Sequence, residues 1–407
     1  MEEPPVKIAM VSEHASPLAT LGGVDAGGQN VHVAALAREL AGAGHEVTVY
    51  TRKDREDLAE TVAFAPGVDV VHVPAGPASE IPKDEILPWV PHFGKWLHDR
   101  WLFDRPDVVH SHFWMSGLAA LAAAEKLRIP VVHTYHALGS VKRRHQGPAD
   151  TSPRDRVEAE AEIGRRVDAV IATCGDEVDE LIRMRVPRRT ARVVPCGVDV
   201  TTFNPHVRPL ERPGRPRLLS VGRLVPRKGV ETTILALQYL RDAELVVAGG
   251  PPAAELHRDP EVTRLRWLAA QAGVSDRVRF LGRVERDRLP ALMRSATAVV
   301  SVPWYEPFGM VALEAMACGV PVVASAVGGQ RETVVNNVTG VLVPPRRPAV
   351  LARALRRLID DPVRRTAYGI AGADRARARY NWGRIAGETL AAYDQVLPAR
   401  HLDRSAS

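Results

Sequence analysis

Short runs of β-branched residues alternate with helical patterns along this chain, and the alternation occurs twice. The first set of runs is Lys7–Ser12, Glu46–Thr51, Val68–Val73, Asp107–Ser111, Pro130–His133, Ala169–Thr173 and Arg192–Pro195. Between the first two lie Val33, Leu36, Ala37 and Leu40, apolar at the i, i+3, i+4, i+7 spacing of a helix with one buried face. Strands separated by helices pair in parallel, because each crossover helix returns the chain to the same end of the sheet, and the helices cover both faces. A second set begins at Arg217: Arg217–Val221, Glu244–Ala248, Arg279–Leu281, Ala298–Val302, Pro321–Ser325 and Gly340–Val343. The stretch from Phe203 to Pro216 holds four prolines and no periodicity, so it reads as the connection between two α/β domains.

Length agrees with two domains, since 407 residues exceed the usual single domain of about 100–200. A content of 45% hydrophobic and 25% charged residues is that of a globular protein. The formal charge of +6 favours anionic ligands and is compatible with peripheral contact to an anionic membrane surface. Nucleic acid is not expected as a partner, because the basic residues are dispersed and aromatic side chains, at 5%, offer few stacking platforms. Cys174, Cys196 and Cys318 are widely spaced and odd in number, which indicates neither a disulfide framework nor a structural zinc site and fits the reducing cytoplasm. The segment Met1–Pro5 lacks the basic region of a signal peptide. The longest apolar stretch, Gly117 to Ala124, is far shorter than the about 20 residues of a spanning helix. The expectation is a soluble protein of open oligomeric state.

The chemistry gathers at strand ends. After the run Ala298–Val302 comes Trp304-Tyr305-Glu306-Pro307-Phe308-Gly309-Met310, which opens a helical pattern reaching Glu314. Open α/β sheets bind ligands at such carboxyl ends. Glu306 on the loop suits acceptance of hydrogen bonds from sugar hydroxyls, and the Gly309 and Met310 amides suit an anion, as at any helix N-terminus. Glycine at 309 allows close approach of a ligand to the backbone. Glu314 falls on the helix face of Met310 and Ala317, and a carboxylate on so apolar a face needs a partner, which a ribose diol would supply. Some eighty residues earlier, Leu218 to Gly229 reads as a strand, Gly222, a basic turn and then a helix from about Val230. Arg223 and Lys228 bracket that turn with no acid between them, which suits a bound polyanion. Arg227 reads as a solvated surface residue.

In the N-terminal half, Gly22-Gly23 precedes Gly27-Gly28 and a helix, an arrangement suited to backbone approach to a phosphate. His110 and His112 stand two apart on a strand and share a face, but no third metal ligand is evident, so an acceptor-pocket or packing role is preferred. Lys142, Arg143, Arg144, Arg154 and Arg156 form a basic patch downstream of His136, readable as a phosphate site or as solvated surface.

Gly222-Arg223 with Lys228-Gly229, followed by Glu306-Pro307-Phe308-Gly309 and Glu314, resembles the donor site of the retaining glycosyltransferases of family 4. The stretch Gly22 to Val31 and His136-Ala137-Leu138-Gly139 resemble the branch holding sucrose synthase, sucrose-phosphate synthase and the inositol-phosphate N-acetylglucosaminyltransferase of mycothiol synthesis. The resemblance implies the GT-B fold: two Rossmann-like, doubly wound parallel-sheet domains facing a cleft, here residues 1–203 for the acceptor and 204–380 for the donor. It also implies a final segment, 381–407, whose helix around Trp382 to Val396 returns to the first domain. The substrates would be a nucleotide-sugar, most simply UDP-linked, and a small polar acceptor, with no metal and no cofactor.

The same resemblance assigns roles. Arg223 and Lys228 would stabilise the leaving diphosphate, where negative charge grows in the transition state. Glu306 would position the donor sugar's hydroxyls and Glu314 the ribose, and His136 would meet the sugar near its 6-hydroxyl. Gly22, Gly23, Phe308, Gly309 and Met310 would complete the donor pocket, with Arg283 and Val284 at the base. The acceptor would lie near Asp25, Asn30, His112, Lys142 and Arg156. The acceptor attacks from the leaving group's own face, the departing phosphate takes its proton, and the anomeric configuration is retained. Rival readings are a GDP-mannose-dependent mannosyltransferase at a membrane surface and a non-catalytic nucleotide-sugar-binding protein.

Overall fold

The computed structural model describes residues 5–19, 27–211 and 214–397. They form two compact units. One contains the described residues up to 195 together with 382–397, and the other contains the described residues from 196 to 381.

The first unit is built on eight strands: β1 (Lys7–Val11), β2 (Glu46–Arg52), β3 (Thr61–Ala65), β4 (Val68–Val73), β5 (Val108–His112), β6 (Val131–Thr134), β7 (Ala169–Ala172) and β8 (Ala191–Val193). Their order is β3-β4-β2-β1-β5-β6-β7-β8, parallel throughout except for the β3–β4 hairpin. β1 lies at the centre, with Ile8 registered against Val47 on one side and Val108 on the other. Its residues serve both faces: Ile8 and Met10 pack with Val33, Leu36 and Leu40, while Ala9 and Val11 pack with Phe93, Leu97 and Met115. The covering helices are α1 (Gly28–Gly42), α2 (Val90–Trp101), α3 (Trp114–Ala124), α4 (Gly139–Gln146), α5 (Arg156–Arg166) and α6 (Gly175–Arg183).

The second unit has six strands, β9 (Arg217–Val221), β10 (Glu244–Ala248), β11 (Val278–Gly282), β12 (Ala298–Ser301), β13 (Val322–Ser325) and β14 (Gly340–Val343), all parallel in the order β11-β10-β9-β12-β13-β14. Its helices are α7 (Val230–Ala236), α8 (Pro260–Gln271), α9 (Leu289–Arg294), α10 (Met310–Ala317), α11 (Gln330–Thr333), α12 (Pro348–Asp360) and α13 (Pro362–Arg379). The last helix, α14 (Trp382–Tyr393), belongs to the first unit, where Trp382, Ile385 and Tyr393 share a core with α1.

The expected strands are present to within two residues at either end. β3 carries no sequence signal, being an edge strand whose residues are half-buried or exposed. The expected boundary at Phe203 also shifts. Phe203 is fully buried in the second unit's core with Cys196 and Val198, and the Val198 N–H bonds the Tyr380 carbonyl at 2.7 Å, so the division falls between Pro195 and Cys196. The proline-rich stretch marks a change of pattern, but its leading residues are already tied to the second sheet's helices.

In each unit the sheet grows first to one side of its founding strand and then to the other. From β1 the chain adds β2, β4 and β3 on one side and β5 to β8 on the other; from β9 it adds β10 and β11, then β12 to β14. The carboxyl ends of β1 and β5, and of β9 and β12, therefore part to leave a crevice, the position at which sheets of this kind bind ligands.

Candidate active site

At the β9–β12 switch point two loops are stitched together. The chain leaves β9 through Gly222, passes the exposed Arg223, and makes a short 3-10 turn over Pro226–Lys228 before α7. Gly229, between turn and helix, has φ of 73°, and a Cβ there would overlap the Val302 carbonyl. Only glycine permits that approach, and it seats the basic turn against the end of β12. The Trp304 N–H then donates to the Arg227 carbonyl at 2.8 Å. Across this seam Lys228 Nζ meets Glu306 Oε2 at 2.5 Å, with side chains 24% and 12% exposed. Burial pushes the Glu306 carboxyl up, but Lys228, Arg227 and Arg223 outweigh it and hold it below its ordinary value. Burial pulls the Lys228 ammonium down, and Glu306 restores part of it.

α10 is capped at its start by Gly309, whose φ is 95° and where a Cβ would lie 2.8 Å from Gln330 Cγ. Among the described residues the Gly309 and Met310 amides have no hydrogen-bond acceptor, as expected for a helix start open to an anion. Within α10, Glu314 is buried and pairs with Arg286 Nη1 at 2.9 Å. Burial raises its carboxyl above the ordinary range, and Arg286 offsets this in part.

At the β1–β5 switch point the groups are different. Glu13, 2% exposed, receives the Ser116 hydroxyl on one oxygen and meets His14 Nδ1 at 2.7 Å with the other. His112 Nδ1 lies 3.0 Å from His136 Nε2, and the rings stack with centroids 5.2 Å apart. His32 packs edge-on to His136, and His110 bridges Tyr393 Oη at 2.7 Å and Thr134 Oγ1 at 2.9 Å. Burial pulls the imidazoles of His32, His110, His112, His133 and His136 down, His32 to about 4 and His133 to about 3, and the neighbouring imidazoles push His110, His112 and His136 further in the same direction. The cluster is neutral and acts through hydrogen bonds. Phe113 and His136, which follow β5 and β6, both have left-handed backbones, with φ of 79° and 60°. Such strained non-glycine positions concentrate at functional sites.

Several sequence expectations change here. Lys228 does have a compensating acid; it is Glu306, 78 residues away, which the fold brings across the crevice. The partner of Glu314 is Arg286, which sequence spacing did not suggest. Arg227 is half-buried, with its guanidinium 5.2 Å from the Tyr305 ring, so it is not a solvated surface residue. Phe308 packs in the core beside Tyr380, leaving only its backbone for a ligand. The Arg283 N–H is engaged by the Pro251 carbonyl at 2.9 Å, and the Val284 side chain packs on the core, so neither offers those groups to a base.

In the first unit Asn30 caps α1, accepting from the Gly27 N–H at 2.9 Å and donating to the Ser16 carbonyl at 3.0 Å, so both ends of its amide have a structural partner. Three residues of the basic patch are paired with acids: Lys142 with Asp150 at 2.9 Å, Arg144 with Glu180 at 2.6 Å, and the buried Arg156 with Glu160 at 2.7 Å, while Arg143 donates to the Arg154 carbonyl at 2.9 Å. Arg156 Nη2 also donates to the Ala137 carbonyl at 2.7 Å, which braces the residue after His136. Gly22, Gly23 and Asp25 lie outside the described residues. All three cysteines are buried, and none is in a disulfide. Among the described residues no helix is long and apolar enough to cross a membrane, and no group of three or more His, Cys, Asp or Glu residues is arranged to hold a metal.

Two parallel-sheet α/β units, each with polar groups at its switch point, define the GT-B class. Residues 26–202 match the family described as Glycosyltransferase Family 4, and residues 204–375 match Glycosyl transferases group 1. A D-inositol 3-phosphate glycosyltransferase of Xylanimonas cellulosilytica is 38% identical over 97% of this chain and 98% of its own length. One from Streptomyces bingchenggensis is 37% identical over 97% and 90%. Among solved structures, sucrose-phosphate synthase from Thermosynechococcus elongatus superposes with a TM-score of 0.87 at 32% identity, covering 95% of this chain and 98% of that one. The fold is also that of Anabaena HepE in complex with UDP and glucose, with a TM-score of 0.72, 20% identity and coverage of 96% and 99%. The chain belongs to glycosyltransferase family 4 and is a glycosyltransferase.

Proposed function

We propose that this cytoplasmic glycosyltransferase moves a hexose or N-acetylhexosamine from a UDP-linked donor to a small phosphorylated polyol, without a metal and with retention at the anomeric carbon. The observation that carries the donor half is the pairing of Lys228 with Glu306 beside the open Gly309 and Met310 amides. Lys228, Arg223 and these amides oppose the charge that grows on a departing diphosphate, the arrangement that contributes most to such reactions. Glu306, held ionised, is an acceptor for the donor sugar's hydroxyls, and Glu314, about one turn into α10 and paired with Arg286, is the group for the ribose. In the first unit, the imidazoles stay neutral and suit recognition of hydroxyls. The acceptor class is supported by two relatives of 37% and 38% identity over 97% of the chain that act on D-inositol 3-phosphate.

The test is a thermal-shift panel of UDP-, GDP-, ADP- and dTDP-sugars, followed by transfer to D-inositol 3-phosphate. A ligand that binds only the folded protein raises its apparent stability. UDP-N-acetylglucosamine or UDP-glucose should give the largest shift, and the product should show the small anomeric coupling of an α-linkage. A shift confined to GDP-mannose, or a product of inverted configuration, overturns the proposal.

A further inference from the structure

Lys228 and Glu306 are each other's nearest counterion, and this raises a problem for a cation that must also meet a diphosphate. When Lys228 turns to the donor, a largely buried carboxylate loses its ion pair. A buried carboxylate without a cation takes up a proton. Glu306 would then change from a pure acceptor to a group that also donates, and its hold on the sugar's hydroxyls would change with it.

Arg227 stands where it can prevent this. It precedes Lys228 in the basic turn, its carbonyl accepts from the Trp304 N–H at 2.8 Å, and its guanidinium lies 5.2 Å from the ring of Tyr305, the residue before Glu306. Among the described residues its Nη1 is buried and has no hydrogen-bond partner. An interior guanidinium N–H left unbonded is costly, so a group that arrives to meet it is strongly favoured. We infer that Arg227 is a positioning residue: it takes over as the counterion of Glu306 when Lys228 engages the donor diphosphate, and so keeps that carboxylate ionised through the reaction. The inference rests on the donor-site reading above.

The charged groups that act on Glu306 are Lys228, Arg227 and Arg223, all from the β9–α7 segment. Arg223 is exposed and assigned to the diphosphate. The segment after β13 meets Glu306 through its backbone, with the Gly329 N–H donating to the Glu306 carbonyl at 3.2 Å. Arg346 lies over Trp304 at 3.7 Å and is engaged there. Arg227 already contributes to holding the Glu306 carboxyl down, second among the cations after Lys228.

The experiment measures proton uptake on binding UDP-N-acetylglucosamine, by calorimetry at about pH 6 in buffers of different ionisation enthalpy; the pyrophosphate diester itself does not titrate there. The wild type should take up almost no proton. Arg227→Leu should take up about one per donor bound, because Glu306 protonates as Lys228 leaves it. Arg227→Lys should restore the wild-type value, and Arg227→Leu with Glu306→Gln should abolish the uptake, which excludes an imidazole as its source. Equal uptake by wild type and Arg227→Leu, or uptake that persists in the double variant, overturns the inference while leaving the donor site intact. Failure of the wild type to bind UDP-N-acetylglucosamine overturns the donor-site reading, and this inference with it.

Discussion

At the β1–β5 switch point the side chains that meet are imidazoles, hydroxyls and one carboxylate; at the β9–β12 switch point they are two ion pairs and a half-buried guanidinium. The backbone reason for a crevice is the same in both, since each sheet grows outward from a founding strand in two directions. Their electrostatics diverge because different residues fill the strand ends. In the first unit burial drives His32, His110, His112, His133 and His136 to the neutral state. In the second, opposite charges keep Lys228 and Glu306 ionised in spite of burial. The same architecture thus presents neutral hydrogen-bonding groups at one switch point and ionised groups at the other, a contrast that suits the proposed pairing of a hydroxyl-bearing acceptor with a polyanionic donor.

The largest test of this contrast is Lys228→Ala. Loss of one preorganised cation at a developing charge should lower kcat by about 10²- to 10³-fold with the fold intact by circular dichroism; an unchanged kcat would remove the second unit's charge from the chemistry. His136→Ala should cost less, about ten- to a hundredfold in kcat/KM, the worth of one hydrogen bond to substrate in a buried setting. A loss confined to kcat at saturating acceptor and donor would place His136 at the reacting centre; a loss confined to acceptor KM would place it in acceptor recognition.

Acid should separate the units more gently. In the unfolded chain imidazoles take up protons near 6.5, whereas His32 in the folded state does so only at about 4 and His133 at about 3. The unfolded state therefore binds more protons between these values, so the stability these groups allow is complete above about pH 6.5 and is lost as pH falls toward 4. Glu314, raised by burial, works in the opposite sense in the second unit. Hydrogen exchange from pH 7 to 5 should show β5, β6 and α1 losing protection before β9 and β12; simultaneous loss would mean the histidine cluster does not govern acid stability. The smallest effect is expected from EDTA, which should leave the transfer rate unchanged if, as proposed, Lys228 and Arg223 take the place of a metal at the diphosphate.

Much of this was legible in the chain. Lys7–Val11 and Arg217–Val221 announce themselves because a central parallel strand is buried on both faces and must be apolar nearly throughout, whereas Thr61–Ala65 at a sheet edge is under no such demand and leaves no signal. Glu306, Lys228 and Glu314 stood out by type and spacing. Their partners did not: Arg286 is one basic residue among many on an exposed turn, and nothing local marks it as the counterion of Glu314. Nor did the sequence show that Asn30 caps α1 or that the Phe308 ring packs in the core, because capping and core residues occur in the same loops as binding residues.

The order of residues dictated two alternating α/β halves, the glycines that allow tight turns at the strand ends, and the kinds of group available there. Tertiary structure alone decided which charges neutralise one another, where the first half ends, and that Arg227 lies partly inside. The reason is range. Periodicity and turn chemistry act over a few residues, while an ion pair between positions 228 and 306, or a helix at 382 returning to one at 28, exists only once the sheets have set the spacing between distant segments.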